Sequence, residues 1–410
     1  MKHKITVVVI LFFLMPFTIT SNPNSSALFQ SIKNLFATRG KNRIINGTFL
    51  VAHGADGIFN EGFGWADKER KIKNSSKSQY LIGSITKQFT AVAILKLVDQ
   101  GNIDLHKPIS TYLPHHHPIW CGNFQEWANT ITIHHLLIHS SGLPEYVRLE
   151  GFGDFYKKPR SSKEFITFIS DQQLSFEPGS KYEYSGTGYN ILGIIIESVT
   201  GIDYGSFLAK ELFKPLNMKS TYAAHREMLS CVQKIHPELS IGYNLDEQTK
   251  ELQPGDNVNM TTAFAEASII SNTDDLHAWN LALYAGKIIS AKSLELMLTP
   301  HLQTNYKNMA TGYGVLIYKS PEEFFYKHDG MINGYQSSLL YQPKHKLTIV
   351  GLSNALGSNP DELVYKIQDL VNEYLGKQSP GTGKTTLLVA VIAFLIIILF
   401  FSMHRRNFFK

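Results

Sequence analysis

Ser84 and Lys87 stand three residues apart in the run Ser84-Ile85-Thr86-Lys87. On a helix that spacing puts the lysine ammonium one turn from the serine, on the same face. A serine hydroxyl is a poor nucleophile until a neighbour takes its proton, so the pair has the parts of an activated nucleophile. At a helix start Ser84 also lies beside unpaired N–H groups and the positive end of the helix dipole. Its own N–H could then form half of an oxyanion hole. Ser-x-x-Lys is short enough to arise as an ordinary helix cap followed by a solvated lysine, so its surroundings must decide.

Two other chemistries are suggested and fall away. Gly381-Thr382-Gly383-Lys384-Thr385 ends like a phosphate-binding loop, but Gln378 stands where the first glycine belongs and no strand precedes it. His135 and His139 are spaced like a metal-ligand pair, and His115-His116-His117 is a local cluster, yet no third ligand follows at a fixed spacing. No metal and no organic cofactor is expected. The formal net charge is +5, with no dense Lys/Arg run, so no nucleic-acid partner is expected either.

The elements around Ser84 follow from hydrophobic periodicity. A strand is predicted from Gly47 to Ala52, a turn at Ala55-Asp56-Gly57, and a returning strand from Ile58 to Phe63. A helix is predicted from Ser84 to Val98, ended by Gly101; its apolar residues surround most of the cylinder, so it should be buried. Helical patterns follow at His134–His139, Lys163–Gln172, Gly188–Val199 and Tyr204–Leu212. Strands return at Phe324–His328, Gln336–Gln342 and Leu347–Ser353, then a closing helix from about Asp361 to Tyr374. Strands at both ends with helices between predict an α/β fold: one antiparallel sheet built from both chain ends, flanked by helices, with an inserted helical lobe and the site between.

The termini predict export and a membrane anchor. Residues 1–27 read as an export signal, with Lys2 and Lys4 ahead of an apolar run from Ile5 to Ile19. The body is 28–375 and the linker 376–385. Residues 386–403 carry no charge and approach the short limit of a bilayer span, about 17–25 residues. Arg405, Arg406 and Lys410 follow, which keeps the 404–410 tail cytoplasmic and the body on the extracytoplasmic, periplasmic side. Of the two cysteines, Cys121 and Cys231, both a disulfide and two free thiols are open readings.

Longer motifs settle the weight of the Ser84 pair. Leu81-Ile82-Gly83-Ser84-Ile85-Thr86-Lys87-Gln88-Phe89-Thr90 resembles the nucleophile segment of class C-type serine β-lactamases and their DD-peptidase and esterase relatives. Gly62-Phe63-Gly64-Trp65-Ala66-Asp67, Ile133 to Leu143, Pro178 to Asn190 and His328-Asp329-Gly330 resemble further segments of that family, in the same order. The resemblance implies a two-step acyl transfer through an ester on Ser84, with a small-molecule or peptide substrate: a D-amino-acid peptide, a β-lactam or an ester. A penicillin-binding scaffold of weak activity is the alternative. It implies Tyr184 as general base, with Lys87 as the cation that favours its phenolate. It implies His328 in place of a substrate-orienting lysine, Gly330 beside it, and the Met331 N–H as the other half of the oxyanion hole. The family's tyrosine motif usually carries asparagine where this chain has Gly186. The missing amide implies that Lys87 lacks one orienting partner and that β-lactams are turned over weakly.

Overall fold

The computed structural model describes residues 23–39, 44–246, 248–249, 251–319 and 324–378. Residues 1–22 of the expected export segment 1–27, the apolar run 386–403 and the tail lie outside the described residues, whereas 23–27 open a helix, Pro23–Arg39. Among the described residues, no single helix is long and apolar enough to cross a membrane. The chain divides into two units, Met1–Tyr365 and Lys366–Lys410; the second begins within a helix, Pro360–Gln378.

The first unit is organised by one eight-stranded antiparallel sheet. Its strands are β1 (Gly47–His53), β2 (Asp56–Phe63), β3 (Leu302–Gln303), β4 (Met309–Thr311), β5 (Leu316–Lys319), β6 (Phe324–Ile332), β7 (Tyr335–Gln342) and β8 (Leu347–Ser353). Their spatial order is β3-β4-β5-β6-β7-β8-β1-β2, so β8 from the chain's end pairs with β1 from its start, Leu50 opposite Val350. This is the two-ended sheet expected from the strand pattern. The short strands β3 to β5 were not expected; two to four residues carry too little periodicity to be seen.

Both faces of the sheet are covered, as its buried strands require. On the outer face, helix α1 (Pro23–Arg39) sets Phe36 against Phe49 and Phe63, with ring centroids 4.8 and 4.3 Å apart. On the inner face, Leu50, Ala52, Val350 and Leu352 enter the main core. Helix α2 (Thr86–Asp99) runs through that core, buried without a break from Thr86 to Leu95. Its Phe89 stacks on Trp279 at 4.1 Å, from a helix at Thr273–Tyr284. Burying each such side chain is worth roughly 1.5–3 kcal/mol. The two threonines on α2 are paired rather than stranded: Thr86 Oγ1 accepts the Ile269 N–H, and Thr90 Oγ1 donates to the Ala265 carbonyl.

Ser84 itself precedes the α-helix, in a 3₁₀ turn at Gly83–Ile85. The cause is packing. A methyl group at Gly83 would stand 2.7 Å from the Met331 nitrogen, and one at Gly330 would stand 2.0 Å from the Ile82 carbonyl. Glycine on both sides therefore lets β6 lie directly against the segment leading into Ser84, and Ser337 Oγ ties β7 to the same Ile82 carbonyl at 2.7 Å.

Candidate active site

Ser84 opens into a cleft of about 730 Å³, whose walls include Glu145, Tyr184, Gly186, Glu266, His328, Gly330 and Met331. All the residues singled out for chemistry by the sequence thus border one space, with Lys87 buried beneath it. A larger hollow of about 1000 Å³ lies by Tyr306 and Phe324. It contains no serine, histidine or carboxylate, so it offers no nucleophile with a proton acceptor.

Lys87 is wholly buried. Its Nζ donates to Ser84 Oγ at 2.9 Å, to Glu266 Oε2 at 2.6 Å and to the Glu266 carbonyl at 3.1 Å. These three bonds use all three ammonium hydrogens. Burial disfavours the charge, but the Glu266 carboxylate and the Tyr184 hydroxyl outweigh it and hold Lys87 above its ordinary value. Lys87 is therefore a fixed cation that donates to Ser84 and leaves the serine's own hydrogen for another acceptor.

Glu266 carries no motif and was not singled out by the sequence. It sits in a four-residue helix, Phe264–Ala267. Its N–H donates to Asn190 Oδ1 at 3.1 Å, and its Oε1 accepts from the Tyr146 hydroxyl at 3.1 Å. It also explains Gly186. A methyl group at 186 would stand 3.0 Å from Glu266 Oε2 and 3.2 Å from Glu145 Oε1. The expectation that Lys87 lacks an orienting partner is thus corrected: a carboxylate from a distant segment fills that space and pairs with the lysine.

Tyr184 borders the cleft with 36% of its surface exposed, but its hydroxyl end lies beside Lys87 and Ser84. Desolvation there raises its titration, Lys87 lowers it and Glu266 raises it; the net result lies above the ordinary tyrosine value. The Lys87 cation alone would favour the phenolate, as expected, but paired with Glu266 it does not hold the resting tyrosine ionised. His139 fixes the ring from behind, stacked at 4.4 Å. The predicted His134–His139 helix closes at Leu137, and His139 has left-handed backbone, φ 58°. Its Nδ1 accepts the Ser185 N–H at 3.1 Å. His135 Nδ1 instead faces the Thr132 N–H at 3.3 Å, so the two histidines serve separate local turns.

His328 is buried, its ring 6.4 Å from that of Tyr184 and its Nδ1 2.7 Å from the Asp329 carbonyl. Desolvation first, then the Lys87 charge, depress it to about 4. A neutral imidazole cannot replace a lysine as the cation that holds a substrate carboxylate. Lys327, the adjacent cation, pairs with Asp329 Oδ2 at 2.5 Å and lies over the Tyr365 ring. Cys121 and Cys231 are free and exposed. Among the described residues, Glu197, Asp203 and His225 bring ligand atoms within 4.8 Å of one another, but Arg226 already forms ion pairs with both carboxylates.

The buried histidines make the fold acid-sensitive. His139 lies well below its ordinary value, and His134, His277 and His328 are lowered to about 4, in each case first by burial. Unfolding lets these groups bind protons at pH 6.5, so their contribution to stability is complete above 6.5 and is lost as pH falls towards 4. Glu145, raised to about 7, works in the opposite direction between its unfolded value and 7. Four such histidines against one carboxyl leave a net loss, at about 1.4 kcal/mol per pH unit per proton. The urea midpoint should fall clearly between pH 7 and pH 5; a flat profile would show that these histidines do not stay neutral in the fold.

Comparison with known proteins agrees with this geometry. The Beta-lactamase family model matches residues 32–371. Penicillin-binding protein 4* of Bacillus subtilis (strain 168) is 28% identical over 342 residues, covering 79% of this chain and 71% of its own length. Protein flp of Staphylococcus aureus (strain COL) is 28% identical over 323 residues, covering 77% of this chain but only 60% of its own length. The octameric penicillin-binding protein homologue from Pyrococcus abyssi superposes with a TM-score of 0.71 at 27% identity, over 85% of this chain and 77% of that one. The D-amino acid amidase from Ochrobactrum anthropi SV3, complexed with L-phenylalanine amide, shares the fold with a TM-score of 0.70 at 24% identity, over 85% of this chain and 99% of that one. With the family match running from α1 into the last helix and so enclosing the whole Ser84 cleft, the chain belongs to the Beta-lactamase family of serine hydrolases.

Proposed function

We propose that the protein is an acyl-transfer hydrolase with Ser84 as nucleophile, acting on D-amino-acid amides or peptides and on simple esters. The observation that carries this reading is the 2.9 Å bond from Lys87 Nζ to Ser84 Oγ at the base of a solvent-open cleft. Because Lys87 donates, Ser84 donates its own hydrogen to the phenolate form of Tyr184, the minor ionised form that the Lys87 charge favours; the phenolate takes that proton as the serine attacks and returns it to the leaving group. The Ser84 and Met331 N–H groups receive the developing oxyanion, with Gly330 admitting the strand this close. His328, neutral, orients the Tyr184 side of the cleft without adding charge. Water then repeats the sequence on the acyl-enzyme. The apolar 386–403 run, followed by Arg405, Arg406 and Lys410, supports a body exported and tethered at its C-terminal end.

The two carboxylates beside Gly186 set the substrate preference. A β-lactam's acylamide carbonyl would face Glu145 and Glu266, acceptors against an acceptor, where an amide donor is needed. Against a p-nitrophenyl ester and nitrocefin, kcat/KM is expected to favour the ester by about a hundredfold or more, the scale of one or two such mismatches. Nitrocefin turnover equal to the ester's would contradict this preference. Turnover of neither would favour a binding scaffold.

A further inference from the structure

Gly186 removes a side chain from the cleft wall beside Ser84, and two carboxylates border the space it leaves. They are not equivalent. Glu266 is matched: one oxygen binds Lys87, the other the Tyr146 hydroxyl. Glu145 is held by main-chain donors, the Gly186 N–H on Oε2 and the Val147 N–H. Such donors fix a carboxylate's direction without supplying an opposite charge. Among the described residues, no basic side chain forms an ion pair with Glu145.

We propose that Glu145 is the specificity-determining residue of the cleft and receives the free α-ammonium of the residue being transferred. The enzyme would then favour amino-acid amides, amino-acid esters and amino-terminal peptide bonds over N-acylated substrates. This rests on the reading of Ser84 as nucleophile. An ammonium brings three donors and a positive charge to a partly buried carboxylate, the stronger class of hydrogen bond. An N-acyl group brings a carbonyl acceptor and an apolar methyl to the same oxygens. Burial, then the charge of Glu266, push Glu145 up to about 7, while the Gly186 N–H, Lys87 and the Val147 N–H pull it down. An adjacent ammonium would favour the ionised form. The cleft offers less to a substrate carboxylate, since His328 is neutral and Arg148 lies exposed among its lining residues.

The test compares D-alanine p-nitroanilide with N-acetyl-D-alanine p-nitroanilide on the full-length protein and on Glu145→Gln. The wild type is expected to prefer the free amine. The ratio of the two kcat/KM values should fall roughly ten- to hundredfold in the variant, the scale of one charge-assisted hydrogen bond, mainly through KM. A preference of the wild type for the N-acetyl compound overturns the proposal, whether or not the variant folds. So does a folded variant with an unchanged ratio, which would assign Glu145 a structural role. Hydrolysis of p-nitrophenyl acetate separates the two levels. If the wild type cleaves acetate but shows no amine preference, the Glu145 assignment alone fails. If it cleaves nothing and Ser84 resists acylation, the reading of the cleft fails with it.

Discussion

Ser84→Ala is expected to lower kcat/KM for a p-nitrophenyl ester by about 10⁴-fold or more, as removal of a serine nucleophile does in unrelated serine hydrolases. Nothing else in the cleft can replace it: Lys87 has all three hydrogens engaged, and Tyr184 titrates above its ordinary value. The fold should survive the change. Lys87 keeps both Glu266 contacts, and the main-chain approach of Gly330 and Met331 to Gly83 does not involve the serine side chain. The thermal midpoint should therefore move by no more than about 1–2 °C, the shift of roughly 1 kcal/mol in a chain of this size. Retained ester turnover in a folded variant would remove Ser84 from the mechanism.

Lys87→Ala should have the second largest effect, and it should be visible in two measurements. Turnover should drop about 10²- to 10⁴-fold, since the donor on Ser84 Oγ and the cation beside Tyr184 are lost together. Stability should fall by about 3 kcal/mol or more, because Glu266 is left as a mostly buried carboxylate without its partner. Adding Glu266→Ala should recover part of that stability and none of the turnover, so the two substitutions should be strongly non-additive. Glu266→Gln alone carries a separate signature. With the negative charge removed, Tyr184 loses one of the two influences that raise it, burial remaining, and the limb of the kcat/KM profile that rises with pH should move to lower pH. Additive costs in the Lys87/Glu266 cycle, or an unmoved limb in Glu266→Gln, would show that the pair is structural only.

The strands and the helix around Ser84 were legible because each has a period long enough to read. Gly47–His53 and Leu347–Ser353 run largely apolar over seven residues, Asp56–Phe63 was marked by the turn ahead of it, and Thr86–Asp99 is apolar on nearly every side. Ser84, Lys87, Tyr184 and His328 were legible because they sit in motifs that recur together. Glu266 and Glu145 were not. Glu266 reaches Lys87 across 179 residues of chain from a helix of four residues, and a lone glutamate between alanines has no spacing to betray it. Glu145 follows Pro144 in a loop between short helical turns. The one available signal was Gly186: an absent side chain next to a buried lysine requires some other group to meet the charge, and that group can come from anywhere in the fold. The charge state of His328 was illegible for a similar reason, since it depends first on how deeply β6 is buried and on the nearness of Lys87.

Acylation mapped to a residue tests the central claim most directly. The full-length protein is treated with a fluorophosphonate, its intact mass is measured, and the modified peptide is sequenced by tandem mass spectrometry. The account predicts a single adduct, on the Ser84 hydroxyl, that is absent from Ser84→Ala and slowed in Tyr184→Phe. An adduct on another residue, or equal labelling of Ser84→Ala and the wild type, would contradict it.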